Sequence, residues 1–166
     1  MEARLDGRNA VITGGSAGIG KAIAKSFLTS GANVSIVARR SEVLTAAKAE
    51  IEAQGAVTGT SGKVIALSAD IRNSEECEKV IAKTQAAFGH VDILVNNAGT
   101  SQRGDFLEVS DEIWQDDLDL KLFSAVRLCR LVIPGMRSRK WGRIINVLNL
   151  GAKVPNGGGA PTAVSR

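Results

Sequence analysis

The feature that most constrains the fold of this chain is a regular alternation of short apolar runs with longer stretches of helical pattern. The runs are rich in β-branched residues and predict five strands, at 9–13, 33–38, 64–69, 91–96 and 142–149. The stretches between them predict helices at 19–30, 42–54, 74–88 and 111–140. Strands that are apolar on both faces and alternate with helices are typical of right-handed βαβ units. The sequence therefore predicts an α/β domain with a parallel sheet.

Capping signals set the expected ends of three helices. Asn73 is a good N-cap with Glu76 at the third helical position, and Ser110 caps the long helix. Gly55 is expected to end the second helix, and the Gly-, Thr- and Ser-rich stretch 56–63 is expected to be a loop.

Length and composition fit one cytoplasmic domain over residues 1–166. Charged residues make up 23% and apolar residues 44% of the 166, which excludes disordered, collagen-like and coiled-coil chains. A net charge of +4 is too small to indicate a nucleic-acid partner, and no apolar run is long enough to span a membrane. Cys77 and Cys129 are interpreted as reduced thiols, and the N-terminus lacks a secretory pattern. His90 has no ligand spacing around it, so no metal site is expected.

The chain ends in an unusual way for a parallel sheet. The fifth strand is followed by a turn-rich loop at 151–161, and 162–166 predicts only the first turn of a helix. An edge strand would then be bare and its apolar face partly uncovered. We therefore expect the domain to be truncated at its C-terminal end. The chain would then be either a fragment or the observed part of a longer chain. Coverage by a partner chain is the alternative.

A glycine-rich turn lies between the first strand and the first helix. In the sequence TGGSAGIG at 13–20, Gly14 suits a tight turn, Gly18 lets the backbone approach a pyrophosphate, and Gly20 lets the helix pack on the sheet. Free N–H groups at the helix start favour an anion there. We expect dinucleotide binding, although such a turn can also be a turn and nothing more.

The end of the second strand carries Arg39 and Arg40, with no carboxylate before Glu42. An acidic residue here would bind a ribose 2′-hydroxyl, whereas a guanidinium favours a 2′-phosphate. NADP(H) is therefore favoured over NAD(H), and the alternative is that both arginines are solvated loop residues.

Two further strand ends complete the predicted cofactor site. Asp70 follows the third strand, where it can accept a hydrogen bond from an adenine amino group, and the sequence NNAG at 96–99 closes the fourth strand. Open α/β sheets bind ligands at this carboxyl edge. The predicted cofactor-binding residues are Gly14, Ser16, Gly18, Ile19, Gly20, Arg39, Arg40, Asp70, Ile71, Asn97, Ala98 and Gly99.

These motifs, together with Trp114 and the sequence GRIIN at 142–146, resemble the classical short-chain dehydrogenase/reductase family over essentially the whole chain. The chain looks most like the branch named after 3-oxoacyl-carrier-protein reductases. The resemblance implies a Rossmann-type doubly wound sheet with the present strands in the order 3-2-1-4-5, to which the family adds two more. It also implies an oxidoreductase that uses a nicotinamide cofactor on a carbonyl or secondary alcohol.

The family carries a catalytic tetrad of Asn, Ser, Tyr and Lys, and all four positions are substituted here. By motif position, Tyr corresponds to Thr162, Lys to Arg166, Ser to Asn149 and Asn to Lys121. A threonine hydroxyl is too weak an acid to replace a phenol, and arginine does not pass a proton at neutral pH.

We hypothesise that Lys121 supplies the proton while Asn149 and Thr162 orient the substrate oxygen and Arg166 holds the ribose or the phosphates. The polar character of all four replacements motivates this assignment. The alternative is that Lys121 lies on a solvated helix face and the site is inactive. The protein would then be a dinucleotide-binding sensor or scaffold.

The long helix at 111–140 is apolar over much of its circumference. Its two apolar stripes consist of Leu118, Leu122, Val126 and Cys129, and of Leu120, Phe123, Leu128 and Leu131. Such a helix is buried on more than one side. Because the family dimerises through this helix, the resemblance implies a homodimer or homotetramer. The alternative is that residues beyond this chain cover the second side.

Overall fold

A computed structural model describes residues 4–59, 62–155 and 158–165. The five strands are β1 (Asn9–Thr13), β2 (Asn33–Ala38), β3 (Val64–Ser68), β4 (Ile93–Asn96) and β5 (Arg143–Asn146). The helices are α1 (Gly18–Thr29), α2 (Ser41–Thr58), α3 (Ser74–Phe88), α4 (Asp111–Leu118), α5 (Ser124–Ser138) and α6 (Ala160–Val164). A π turn (Asp119–Phe123) joins α4 to α5, and a short 3₁₀ turn (Leu150–Ala152) follows β5.

The sheet is parallel and its strand order is β3-β2-β1-β4-β5, which confirms the predicted order. Val11 at the centre of β1 lies between Ser35 of β2 and Leu94 of β4. The chain reverses its direction of winding between β1 and β4. The carboxyl ends of these two strands therefore border the crevice in which sheets of this type bind ligands.

Each face of the sheet has its own core, because successive residues of a buried strand point to opposite faces. Ile12 and Ile36 pack with α1 and α2 on one face, through residues such as Leu28. Val11 and Leu94 belong to the second core. The helix residues of that core include Val80, Ile81, Leu128 and Val132.

Several predicted element ends are correct and others need correction. Asn73 caps α3 as predicted, because its side chain accepts hydrogen bonds from the amides of Glu75 (2.8 Å) and Glu76 (3.4 Å). The end predicted for α2 at Gly55 is wrong. The helix continues to Thr58 and ends where Gly59 adopts a left-handed conformation, with φ of 67°. Glycine inside a helix costs only about 1 kcal/mol, so Gly55 does not stop it.

The long helix predicted at 111–140 is correct in position but is not one regular helix. It begins after Ser110 and ends at Ser138, and the π turn divides it. A π turn holds one extra residue and often occurs at functional sites. Lys121 lies in the middle of this turn.

Among the described residues, β5 has no neighbouring strand on its outer side, so it forms an edge of the sheet as the sequence predicts. All four of its residues are exposed, and the strand is shorter than the predicted run at 142–149. Ile144 and Ile145 are 38% and 41% exposed. No helix in the described ranges is both long enough and apolar enough to cross a bilayer.

Candidate cofactor cleft and active site

The glycine-rich turn packs tightly against the loop that follows β4. Gly14 has a φ of 67°, and a Cβ there would lie 2.8 Å from Nδ2 of Asn97. A Cβ on Gly20 would lie 2.5 Å from the same nitrogen and still closer to the carbonyl oxygen of Gly14. Only glycine fits at both positions, so the turn and the start of α1 are set by backbone contact.

The Thr13 side chain fixes the ends of β1 and β4 to each other. Its hydroxyl accepts hydrogen bonds from the amides of Asn97 (2.9 Å) and Ala98 (3.0 Å) and donates one to the carbonyl of Val95 (3.2 Å). The side-chain amide of Asn97 donates to the Thr13 carbonyl at 2.9 Å. Asn97 therefore stabilises the glycine-rich turn. It also borders the ligand crevice at the carboxyl edge of the sheet.

The first turn of α1 lies at the carboxyl edge of the sheet, beside the ligand crevice. No side chain caps the amides of this turn. The N-cap residue is Ala17, which has no side-chain oxygen, and the first turn contains no acidic residue. The positive end of the helix dipole is therefore not compensated locally, which favours an anion at this point. Ile19 is 63% exposed, which leaves an apolar contact surface next to these amides.

An open cleft of about 770 Å³ lies along the carboxyl edge of the sheet. It is lined by all but one of the residues predicted to bind the cofactor: Gly14, Ser16, Gly18, Ile19, Arg39, Arg40, Asp70, Ile71, Asn97, Ala98 and Gly99. Gly20 lies beneath the turn, where it makes the close helix contact. In the part of the chain that the structure describes, this corner is neither filled by side chains nor closed by a loop.

Charged side chains border this cleft at two strand ends. Arg39 and Arg40 are exposed at the start of α2. Asp70 accepts hydrogen bonds from the guanidinium of Arg72 at 2.6 to 3.1 Å. The hydrogen bonds from Arg72 lower the pKa of the Asp70 carboxyl group. Arg72 also pairs with Asp116 at 3.0 Å, so Asp70 reaches the cleft as part of an ion-pair network.

The structure brings together two of the four residues proposed for catalysis. Nζ of Lys121 donates a hydrogen bond to Oγ1 of Thr162 at 3.0 Å. The Lys121 side chain is only 2% exposed and pairs with Asp117, whose Oδ1 lies 2.6 Å from Nζ. The alternative that Lys121 lies on a solvated helix face is therefore wrong.

The other two catalytic candidates lie differently. Asn149 is exposed and borders both the large cleft and a smaller cavity of about 210 Å³. Thr162 lines that smaller cavity together with Gln102 and Arg103. Arg166 lies outside the described residues.

The model of the family described as short chain dehydrogenase matches residues 8–164. The chain belongs to the short-chain dehydrogenase family.

Curated members of this family are similar to the chain along most of its length. A 3-oxoacyl-[acyl-carrier-protein] reductase from Vibrio cholerae is 37% identical over 98% of the chain and 63% of its own length. A D-beta-hydroxybutyrate dehydrogenase from Cupriavidus necator is 39% identical over 86% of the chain and 53% of its own length. A short chain dehydrogenase from Pseudocercospora fijiensis is 36% identical over 94% of the chain and 49% of its own length. The chain thus spans about half to just under two thirds of these relatives.

Solved structures of short-chain dehydrogenases share the fold closely. L-sorbose reductase from Gluconobacter frateurii, complexed with NADPH and L-sorbose, matches with a TM-score of 0.92 and 36% identity, over 99% of this chain and 61% of that protein. A metagenomic short-chain oxidoreductase in complex with NADP matches with a TM-score of 0.89 and 34% identity, over 97% and 70%.

Sequence reasoning missed three residues of the hydrogen-bond network to which Lys121 belongs. Asp117 lies four positions before Lys121, and this spacing places opposite charges on one helix face. That spacing is a signal that could have found Asp117. Ser165 donates to Oδ2 of Asp117 at 2.6 Å, and the Gln102 backbone bonds to Thr162. Neither contact has a sequence signal, because each joins segments far apart in the chain.

The single histidine does not belong to this site. Its Nε2 lies 3.0 Å from the carboxylate of Asp92. Within the described parts of the chain, no group of three or more His, Cys, Asp or Glu side chains is arranged to hold a metal ion.

Proposed function

We propose that the protein is an NADP(H)-dependent oxidoreductase that acts on a small molecule with a carbonyl group or a secondary alcohol. The observation that carries this proposal is the open cleft at the carboxyl edge of the sheet. The uncapped start of α1 and two arginines line this cleft, and they support the binding of the phosphates of a dinucleotide. The NADPH and NADP complexes among the similar structures support the choice of the phosphorylated cofactor.

In this proposal each part of the cleft binds a different part of the cofactor. The amides at the glycine-rich turn and the start of α1 bind the pyrophosphate, as helix N-termini do with anions. Arg39 or Arg40 binds the 2′-phosphate by charge-assisted hydrogen bonds. The Asp70 carboxylate keeps its charge beside Arg72 and accepts a hydrogen bond from the adenine amino group.

When bound, the nicotinamide supplies or takes up the hydride. The residues of the chain would hold the proton and the substrate oxygen. Lys121, as an ammonium group, is the proposed source of the proton in the reducing direction, and Thr162 and Asn149 orient the oxygen. Arg166 is proposed to hold the ribose or the phosphates. For Thr162 to bind substrate, its hydroxyl must exchange its present acceptor, the Gln102 carbonyl at 3.2 Å.

A specific observation favours a second function, that of a dinucleotide-binding sensor or scaffold without catalysis. The Thr162 hydroxyl accepts from Lys121 and from the Gln102 amide, and it donates to the Gln102 carbonyl. A hydroxyl has two acceptor sites and one hydrogen, so protein groups already use its full capacity. Both functions require cofactor binding, so binding alone does not distinguish them. A measurement of turnover does, because only the oxidoreductase catalyses a reaction.

The test of cofactor binding is calorimetric titration of the protein with NADPH and with NADH. The variants are Arg39→Ala and Arg40→Ala, and the matched control is Arg137→Ala, an exposed arginine at the far end of α5. A hydrogen bond to a charged group contributes about 1.5–3 kcal/mol, which corresponds to about tenfold or more in affinity. At least one of the two cleft variants, Arg39→Ala or Arg40→Ala, is expected to bind NADPH about tenfold or more weakly than the wild type. Its affinity for NADH is expected to stay within about threefold of the wild-type value.

Equal affinities for NADPH in the wild type and in both cleft variants would contradict the assignment of the 2′-phosphate. A screen of carbonyl substrates that follows NADPH oxidation then tests catalysis. Tight binding without any turnover would favour the sensor or scaffold.

We further propose that the protein works in the cytoplasm and assembles through the α4–α5 region. Both cysteines are free thiols, which suits a reducing compartment. Leu122, Phe123 and Ile133 are 37–44% exposed and offer an apolar surface to a second copy.

A further inference from the structure

Asp117 is the most buried charged group in the neighbourhood of the proposed active site. Its side chain is 0% exposed, and that of Lys121 is 2% exposed. The carboxylate lies 2.6 Å (Oδ1) and 2.8 Å (Oδ2) from Nζ of Lys121 and accepts a hydrogen bond from Oγ of Ser165 at 2.6 Å. A continuous chain of hydrogen bonds therefore runs from Ser165 through Asp117 and Lys121 to Thr162.

Burial makes the charges of this pair depend on each other. A single ion removed from water loses several kcal/mol of hydration, and this loss is offset only by a well-placed partner. A carboxylate 2.6 Å from Nζ therefore favours the ammonium form of Lys121 inside the protein. Ser165 holds the carboxylate in place by donating its hydroxyl hydrogen to Oδ2.

The charge of Lys121 decides the direction of the hydrogen bonds at Thr162. An ammonium group only donates, and so does the backbone amide of Gln102, so both lone pairs of Oγ1 accept. The hydroxyl hydrogen must then point towards an acceptor, at present the Gln102 carbonyl. A neutral amine could instead accept the hydroxyl hydrogen of Thr162, and the hydroxyl would then donate to Lys121 and not to an acceptor oxygen.

We infer that Asp117 is a positioning residue. It holds Lys121 as a charged donor and thereby makes Thr162 a hydrogen-bond donor to the acceptor oxygen of a carbonyl substrate. Ser165 supports Asp117 in this role. The inference rests on the proposed oxidoreductase function for its catalytic consequence, but the charge state of Lys121 is testable without any turnover.

Among the described residues, the lining of the groove beside Lys121 contains no carboxylate. The groove of about 400 Å³ beside Lys121 is lined by Cys129 and Arg130 of α5 and by the neutral side chains of Asn96, Asn146 and Ser165. Burial raises the pKa of the Cys129 thiol, which favours its neutral form. Arg130 is a cation and disfavours the lysine charge.

The test combines nuclear magnetic resonance of lysine labelled at Cε and Nζ with steady-state kinetics, on wild type and on Asp117→Asn. In the wild type, Lys121 is expected to stay protonated from pH 6 to pH 9. In Asp117→Asn it is expected to lose its proton within this range, since removal of the carboxylate leaves the desolvation of the buried ammonium group less compensated. The control is Asp111→Asn, an exposed change in the first turn of the same helix.

The kinetic expectation follows from the same change of charge. At pH 8, kcat of Asp117→Asn is expected to fall at least tenfold, with KM for the cofactor within about twofold of wild type. The activity should recover as the pH is lowered towards 6, whereas wild type shows no such titration. Asp117→Glu, which restores the carboxylate, is expected to regain part of kcat and the protonated lysine.

The outcomes separate this inference from the proposed function. A lysine that stays protonated to pH 9 in Asp117→Asn, with wild-type kcat, overturns the positioning role. If the wild type binds NADPH without turnover, the proposed oxidoreductase function fails, and the resonance of Lys121 still decides the role of Asp117. If Asp117→Asn does not fold, Ser165→Ala is measured: a two- to fivefold loss of kcat supports the inference, and an unchanged kcat and lysine titration overturn it.

Discussion

Replacing Gly20 with alanine should disturb the glycine-rich turn through one misplaced methyl group. The new Cβ would lie 2.5 Å from Nδ2 of Asn97 and even closer to the carbonyl oxygen of Gly14, about an ångström short of ordinary van der Waals separation. Because Gly14 and Gly20 meet through their backbones, α1 cannot yield by a rotamer change. The start of the helix must move, or Asn97 must give up its 2.9 Å hydrogen bond to the Thr13 carbonyl.

The free energy of unfolding should fall by about 2 kcal/mol. Overpacking of this kind costs about 1–3 kcal/mol, and the weakened hydrogen bond about 1 kcal/mol more. The higher helix propensity of alanine offsets about 1 kcal/mol of this destabilisation. For a domain of this size, such a loss lowers the Tm by about 4–8 °C.

The assay is thermal unfolding together with calorimetric titration of NADPH, and the matched control is Gly89→Ala. Gly89 follows α3 with φ of 88°, and a Cβ there meets no described atom within 4 Å, so its cost is backbone strain alone. Gly20→Ala should lose stability and at least tenfold in NADPH affinity, whereas Gly89→Ala should lose stability only. Wild-type stability and affinity in Gly20→Ala would refute the reasoning.

Three further predictions concern α3. Asn73→Ala should lower the free energy of unfolding by about 1 kcal/mol, because two amides at the start of the helix lose their acceptor; urea titration measures this, and an unchanged midpoint would contradict it. Burial raises the pKa of the Cys77 thiol to about 11. The folded state therefore keeps a proton that the unfolded state loses above about pH 9, and stability should decline from pH 9 towards pH 11, less so in Cys77→Ala. Mass spectrometry after treatment with a thiol reagent at pH 8 should find Cys77 unmodified in the folded protein, and modification at the rate of a free thiol would count against its burial.

The features predicted well from the sequence are those with a local physical cause. Strands and helices follow from the spacing of apolar residues, and the Asn73 cap follows from a short polar side chain at a helix start. The errors lie at the ends, where competing local signals are weak. Gly55 resembles a helix terminator, but its cost is small and Gly59 with its positive φ ends the helix instead.

The sequence by itself determined the α/β class, the glycine-rich turn and the edge of the sheet where ligands can bind, since each depends on a periodic pattern or on a motif of adjacent residues. Only the tertiary structure decided that Lys121 is buried, that Asp117 pairs with it inside the protein, and that Thr162 and Ser165 complete the chain of hydrogen bonds. Thr162 lies 41 positions after Lys121, and Ser165 lies 48 after Asp117. Contacts across such separations form only when α4, the π turn and α6 pack together. The same packing removes Asp117 and Lys121 from water, and this desolvation strengthens the interaction between their charges.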